Sequence, residues 1–110
     1  MTTPYSRRPD WVAATREFLV SVRQRQDADL PRYGEVAAVY GGNARAVAPV
    51  LNAVARDCGK AGEPDLSALV VLSSTGLPGR LDGLEVDPRD RKTLAAWQTE
   101  LERIRSYSWA

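Results

Sequence analysis

The chain contains no histidine, a single cysteine and only two lysines among its 15 basic residues. Without histidine it lacks the commonest general base and the commonest metal ligand, which excludes a serine or cysteine triad of the usual kind. A single cysteine, Cys58, excludes an internal disulfide and a cysteine-based zinc cluster. The sequence therefore predicts a protein with no metal centre and no cofactor.

Long apolar runs and a large charge excess are also missing. No stretch approaches the roughly 20 apolar residues that span a bilayer. The segment MTTPYSRRPD carries no apolar signal region behind its two arginines, so we expect a cytoplasmic protein. The net charge of +1 gives no general attraction to nucleic acid, so any basic surface must come from an uneven placement of charge.

The remaining signatures of enzymatic chemistry are weak. There is no GxxxxGK[ST] loop, and the glycines of GLPGRLDG do not open a helix after a strand as a dinucleotide site requires. Paired acids such as Asp87 and Asp90 fall where carboxylates cap helices or are solvated. Cys58 falls at the C-terminal end of a predicted helix, where the dipole disfavours a thiolate. We therefore predict a non-enzymatic protein with a partly buried, inert cysteine.

The chain of 110 residues, 44% of them hydrophobic, is long enough for one domain with a modest core. We predict a flexible N-terminus over residues 1–9, a single domain over residues 10–105 and a tail over residues 106–110. Asp10 is the expected N-cap of the first helix. The inward face of that helix comprises Trp11, Ala14, Thr15, Phe18, Leu19 and Val22.

Residues 31–57 predict a short helix from near Tyr33, a Gly-Gly turn and a longer amphipathic helix: PRYGEVAAVYGGNARAVAPVLNAVARD. The apolar face of the longer helix comprises Val47, Val50, Leu51, Val54 and Ala55, and the opposite face comprises Arg45, Pro49, Asn52 and Arg56. Pro49 requires either that the regular helix begins near Ala46 or that it is kinked. The polar face suits a nucleic-acid groove, and it equally suits a solvated surface.

The second half of the chain predicts a strand, a turn and a last helix. Gly59 is the expected stop of the longer helix, and LSALVVL, residues 66–72, is β-branched and apolar as a strand is. Turn residues follow over 73–80, and a return strand is expected near residues 81–86. Asp87 is expected to cap a last helix, whose buried stripe comprises Leu94, Trp97, Leu101 and Ile104. This order predicts a mainly α fold with a small β-hairpin, that is, a winged helix-turn-helix.

The segment YGEVAAVYGGNARAVAPVL resembles the helix-turn-helix of the DNA alkyltransferases and alkyltransferase-like proteins. Those proteins read roughly Y-G-x-[IVL]-A, a glycine-asparagine turn and A-R-A-V-G-x-A-L. The resemblance covers roughly residues 12–83, and its specific matches are Tyr33, Gly34, Ala37, Arg45, Ala46, Val47 and Leu51.

The resemblance implies a DNA-binding winged helix. It also implies that Tyr33 contacts the phosphate of a target nucleotide and that Arg45 enters the space left by a flipped base. Ala68 stands about where the family has its reactive cysteine, and Leu69 and Val70 replace the His-Arg pair that follows it. The resemblance therefore implies no alkyl transfer.

The leading hypothesis is a non-enzymatic DNA-binding protein whose recognition helix spans about residues 43–57, acting alone or as a homodimer. The residues expected to contact DNA are Tyr33, Asn43, Arg45, Asn52, Arg56, Lys60 and Arg80. The alternative is a small protein-interaction module, an inhibitor or an adaptor on the same fold, as some phage-encoded proteins that bind host factors are. Its expected partner surface comprises Tyr107, Trp109 and the C-terminal helix.

Overall fold

The computed structural model describes residues 9–41, 47–79 and 86–109. The helices of these segments are α1 (Pro9–Ser21), α2 (Tyr33–Val39), α3 (Val47–Ala61) and α4 (Arg91–Ser106), with short 3₁₀ helices at Asp27–Asp29 and Leu66–Leu69. The four predicted helices are confirmed, although some of their ends differ. No helix of the described segments is both long and apolar enough to cross a membrane. The predicted flexible N-terminus lies, up to residue 8, outside the described residues.

α1 packs against α3, and the contact between them forms one side of the core. Pro9 in the first position of α1 and Asp10 in its first turn are both typical of a helix start. Of the predicted inward face, Thr15, Leu19 and Val22 are buried, whereas Trp11, Ala14 and Phe18 are half-buried. The predicted core face of this helix is therefore confirmed.

α3 buries one face in the core along most of its length. Its buried residues are Val47, Val50, Leu51, Ala53, Val54 and Cys58. Because α3 begins at Val47, Pro49 lies in the first turn, where the missing N–H costs no intrahelical hydrogen bond. The described part of α3 agrees with the first of the two alternatives for Pro49, and residues 42–46 before it lie outside the described residues.

α3 ends at Ala61, two residues beyond the predicted stop at Gly59, which is helical. Gly62 ends the helix with a positive φ of 71°, a conformation that glycine adopts without a steric penalty. The N–H of Gly62 donates to the carbonyl of Gly59 (3.3 Å), and the N–H of Glu63 donates to that of Cys58 (2.9 Å). This pair of bonds is a Schellman motif, and it fixes Glu63 directly after the helix.

The predicted strand over residues 66–72 is wrong. Leu66–Leu69 form a 3₁₀ helix instead, capped by the carboxylate of Asp65, which accepts a hydrogen bond from the N–H of Ser67 (3.0 Å). The segment then extends as far as Val71, which makes an isolated parallel bridge with Arg32. Because Leu66 and residues 68–71 are all buried, the run is apolar on every side, and such a run does not distinguish a strand from a buried helical turn.

The predicted β-hairpin wing is also corrected, since no strand or sheet is present among residues 9–41, 47–79 and 86–109. After Val71 the chain folds back in a tight turn: the N–H of Leu72 donates to Leu77, and that of Gly76 donates to Leu72 (2.9 and 2.8 Å). Of the expected return strand, residues 81–85 lie outside the described residues, and Val86 is buried but not in a strand. The described fold is therefore a helical globule without a wing.

α4 begins at Arg91, capped by Asp90 rather than by the predicted Asp87. The Asp90 carboxylate accepts from the N–H of Lys92 (2.9 Å), whereas Asp87 accepts from the N–H of Arg89 in the preceding turn. Of its predicted stripe, Trp97, Leu101 and Ile104 are buried, and Leu94 is half-buried. α4 packs on the 3₁₀ helix of residues 66–69, which lies between it and α3.

Candidate nucleic-acid interface

Four of the seven predicted DNA-contacting residues lie in the described part of the chain. Tyr33 begins α2, whereas Asn52, Arg56 and Lys60 lie on α3. The other three, Asn43, Arg45 and Arg80, lie outside the described residues.

The outer side of α3 carries Asn52, Arg56 and Lys60 one turn apart, and all three side chains are exposed. Residues four apart lie on the same face of a helix, one above the other. The buried residues of α3 hold the opposite face in the core, so this face is fixed in its direction. The expected separation of apolar and polar faces is therefore present over the described length of α3.

A cleft of about 260 Å³ lies beside this face and brings Tyr33 and Asn52 together. Its other lining residues are Ala48, Leu51, Ser67, Val70 and Gly79. Tyr33 is half-buried, and burial raises the pKa of its phenol. The phenol is therefore protonated at neutral pH, and its hydroxyl is a hydrogen-bond donor.

Gly79 closes one end of the cleft against Tyr33. A Cβ placed on Gly79 would lie 3.7 Å from the Tyr33 hydroxyl oxygen, which is ordinary van der Waals contact. The turn after Leu72 therefore comes close to the hydroxyl group of Tyr33. Sequence spacing could not predict this convergence, because it depends on how three separate segments pack.

Two carboxylates near the predicted surface are paired within the chain. Glu35, in the first turn of α2, accepts from Arg25 at 2.9 Å. Glu63, just after α3, accepts from both terminal nitrogens of Arg16 at 2.7 and 2.8 Å. Each pairing neutralises an acid that would otherwise repel a polyanion from this side of the molecule.

The two cations on the outer face of α3 differ from Arg16 and Arg25, which are paired with carboxylates. Within the described part of the chain, Arg56 and Lys60 make no ion pair. Asp57 is the exposed carboxylate that lies between them. The local charge of this face is therefore weakly positive, and its two cations are available to an external anion.

The sequence alone assigns no role to Arg16. No sequence signal joins Arg16 to Glu63, because the two residues are 47 positions apart and meet only through packing. Arg16 also lies 4.0 Å from the sulfur of Cys58. Burial raises the pKa of the Cys58 thiol, so the thiol is protonated at neutral pH, as expected of an inert cysteine.

The segment of residues 68–70, which the sequence resemblance alone compared with an alkyltransferase active-site strand, lies in the core. Ala68, Leu69 and Val70 are all buried, and the carbonyl of Ala68 accepts a hydrogen bond from the indole of Trp97. These positions contribute to packing, although Val70 also reaches the floor of the cleft.

The C-terminal segment, expected to be a tail that carries part of a partner surface, folds back at Trp109. The Trp109 indole donates to the carbonyl of Ile104 at 2.8 Å, whereas Tyr107 is 37% exposed.

Comparison of the chain with protein-family models, with curated proteins and with solved structures finds no match.

Proposed function

We propose that this protein binds duplex DNA through the outer face of α3 and catalyses no reaction on it. The observation that carries the proposal is the exposed row of Asn52, Arg56 and Lys60 beside the cleft that holds Tyr33. Guanidinium and ammonium groups bind phosphate oxygens, and an asparagine amide can pair with the edge of adenine in the major groove.

The internal pairing of nearby acids supports the same proposal. Because Arg25 and Arg16 neutralise Glu35 and Glu63, a phosphate backbone that approaches α3 meets less repulsion from these two acids. The few available cations still limit the affinity. With Arg56 and Lys60 on phosphates, the slope of log K against log salt should be about −1.8, since each contact contributes about −0.9.

Fluorescence anisotropy of a labelled duplex, titrated with protein at several salt concentrations, tests the proposal. We expect Arg56→Ala and Lys60→Ala each to weaken binding and to reduce the salt slope by about 0.9. Lys92→Ala is the matched control, because it removes one exposed cation from a different helix. Absence of binding at low salt, or an equal effect of all three variants, would refute a specific interface on α3.

A second candidate function, a protein-interaction module, is supported by the exposure of Tyr107. Among the described residues it is the large hydrophobic side chain with the greatest exposure, and aromatic residues are enriched at interface hot spots. In this case Tyr107→Ala should remove partner binding, whereas Arg56→Ala should leave it unchanged. A DNA interface on α3 predicts the reverse pattern in the anisotropy titration, with DNA binding weakened by Arg56→Ala and unchanged by Tyr107→Ala.

A further inference from the structure

The exposed row on α3 extends one residue further toward the start of the helix, to Ala48. Ala48 precedes Asn52 by four positions and is exposed, so its methyl group lies on the same face, one turn nearer the N-terminal end. Ala48 and Asn52 both line the cleft that holds Tyr33. The first half of the row therefore carries a methyl group and an amide, whereas the second half carries the cations of Arg56 and Lys60.

The length of this row decides how it meets a duplex. Lys60 is 12 positions beyond Ala48, which is about 18 Å along the helix axis at about 1.5 Å per residue. The major groove of B-DNA is only about 12 Å wide. Recognition helices contact base edges with their N-terminal residues. When Ala48 and Asn52 are at the base edges of a crossed groove, Arg56 and Lys60 therefore reach its phosphate wall.

The side chains of the first half suit particular base edges. In the described part of the chain no partner holds the exposed amide of Asn52. An asparagine amide can donate to N7 of adenine and accept from its N6 amino group, whereas guanine presents two acceptors in the same places. The methyl group of Ala48 suits the C5 methyl group of thymine, which cytosine lacks.

We infer that α3 reads an adenine through Asn52 and a neighbouring thymine through Ala48, in the major groove, while Arg56 and Lys60 hold the flanking phosphates. The inference rests on the proposed DNA interface and adds a sequence preference to it. Ala48 and Asn52 are about 6 Å apart along the helix axis, which is less than two base-pair steps of about 3.4 Å. The recognised adenine and thymine therefore lie within about two base pairs of each other.

Selection of bound duplexes from a random-sequence library, followed by sequencing, tests this preference. We expect the unaltered protein to enrich adenine about tenfold at one position, a typical discrimination for one bidentate contact, with thymine enriched nearby. Asn52→Ala should lose the adenine preference, and Ala48→Ser should weaken the thymine preference. Lys60→Ala is the matched control on the same face. It should weaken binding to all sequences equally, because a phosphate contact carries no sequence information.

Replacement of the selected adenine by 7-deazaadenine separates major-groove readout from other causes of an A·T preference. The analogue carries a C–H group in place of N7 and keeps its Watson–Crick pairing and its minor-groove edge. In anisotropy titrations the unaltered protein should bind the substituted duplex about fivefold more weakly, the effect of losing one hydrogen bond. Asn52→Ala should bind the two duplexes equally.

The outcomes distinguish this inference from the proposed function. Salt-dependent binding without an enriched adenine, or an enrichment that survives Asn52→Ala, overturns the readout and leaves the DNA interface of α3 intact. An adenine preference that 7-deazaadenine does not reduce also overturns it, because the minor groove or the shape of the duplex is then what is read. Absence of DNA binding refutes both.

Discussion

The indole N–H of Trp97 donates a hydrogen bond of 2.8 Å to the carbonyl oxygen of Ala68, and both residues are buried. The bond joins α4 to the 3₁₀ helix of residues 66–69. In a sheet, a neighbouring strand satisfies such a carbonyl. Here a side chain from a helix does so, and the apolar segment is accommodated in a helical core.

Trp97→Phe should leave the Ala68 carbonyl buried without this partner, and we expect it to lower the free energy of unfolding by about 2 kcal/mol. Trp109→Phe is the matched control, because it removes the same indole donor from a hydrogen bond that is only partly buried. That control should cost about 1 kcal/mol or less. Urea denaturation measures both, and equal losses would contradict the role assigned to the Trp97 bond.

Two glycines at the end of α3 should respond to alanine with opposite signs. Gly62 has a φ of 71°, so Gly62→Ala forces an alanine into the left-handed region and should destabilise the protein by about 1 kcal/mol. Gly59 is helical with open space at its Cβ position, so Gly59→Ala should stabilise it by about 0.5–1 kcal/mol. Thermal unfolding of the two variants checks the signs, and stabilisation by both would disprove the observed helix end.

Two buried threonines make a second contrasting pair. The hydroxyl of Thr15 is buried and has no hydrogen-bond partner among the described residues, so Thr15→Val should raise the free energy of unfolding by about 1 kcal/mol. The hydroxyl of Thr93 bonds the backbone of Asp87 and Asp90, so Thr93→Val should lower it by about 1–3 kcal/mol. Chemical denaturation provides the comparison. A loss of stability in Thr15→Val would indicate that its hydroxyl has a partner after all.

The Arg16–Glu63 pair should make stability depend on pH. The hydrogen bonds from Arg16 lower the pKa of Glu63 below the ordinary glutamate value of 4.5. The stabilisation is therefore fully present above that value and is lost as the pH falls through the lower, folded pKa. At neutral pH Glu63→Gln should cost about 1 kcal/mol, because the pair is bidentate but partly solvated.

Urea denaturation at neutral and acidic pH tests this dependence. The stability difference between the unaltered protein and Glu63→Gln should shrink as the pH falls through the folded pKa of Glu63. Glu17→Gln, an exposed change on α1, should show no such difference at either pH. A difference that persists in acid would mean that the carboxylate charge is not what stabilises this contact.

The parts of the fold that follow from local chemistry could be predicted from the sequence. Apolar spacing located the core faces of α1 and α3, because the core is where a helix must bury such a face. The run of residues 66–72 was mispredicted because an apolar segment without alternation fits any buried conformation. Its conformation is decided by Asp65 at its start and by Trp97 on another helix.

The candidate site, like the fold, could be predicted where it depends on local sequence and could not be predicted where it depends on tertiary packing. The exposure of Asn52 and Arg56 follows from their angular position on α3, which the sequence contains. The cleft that joins Asn52 to Tyr33 depends on the packing of separate segments, and so does the ion pair between Arg16 and Glu63. No local pattern encodes contacts between residues so far apart in the chain.

The two faces of α3 have an evolutionary consequence. Its buried face carries the packing, whereas the side chains of Asn52, Arg56 and Lys60 lie in solvent. Substitutions at such exposed helical positions change stability by about 0.5 kcal/mol or less. Mutational drift can therefore change the chemistry of this surface while selection on folding acts elsewhere, so descendants of this chain could share a scaffold and differ in the side chains of this face.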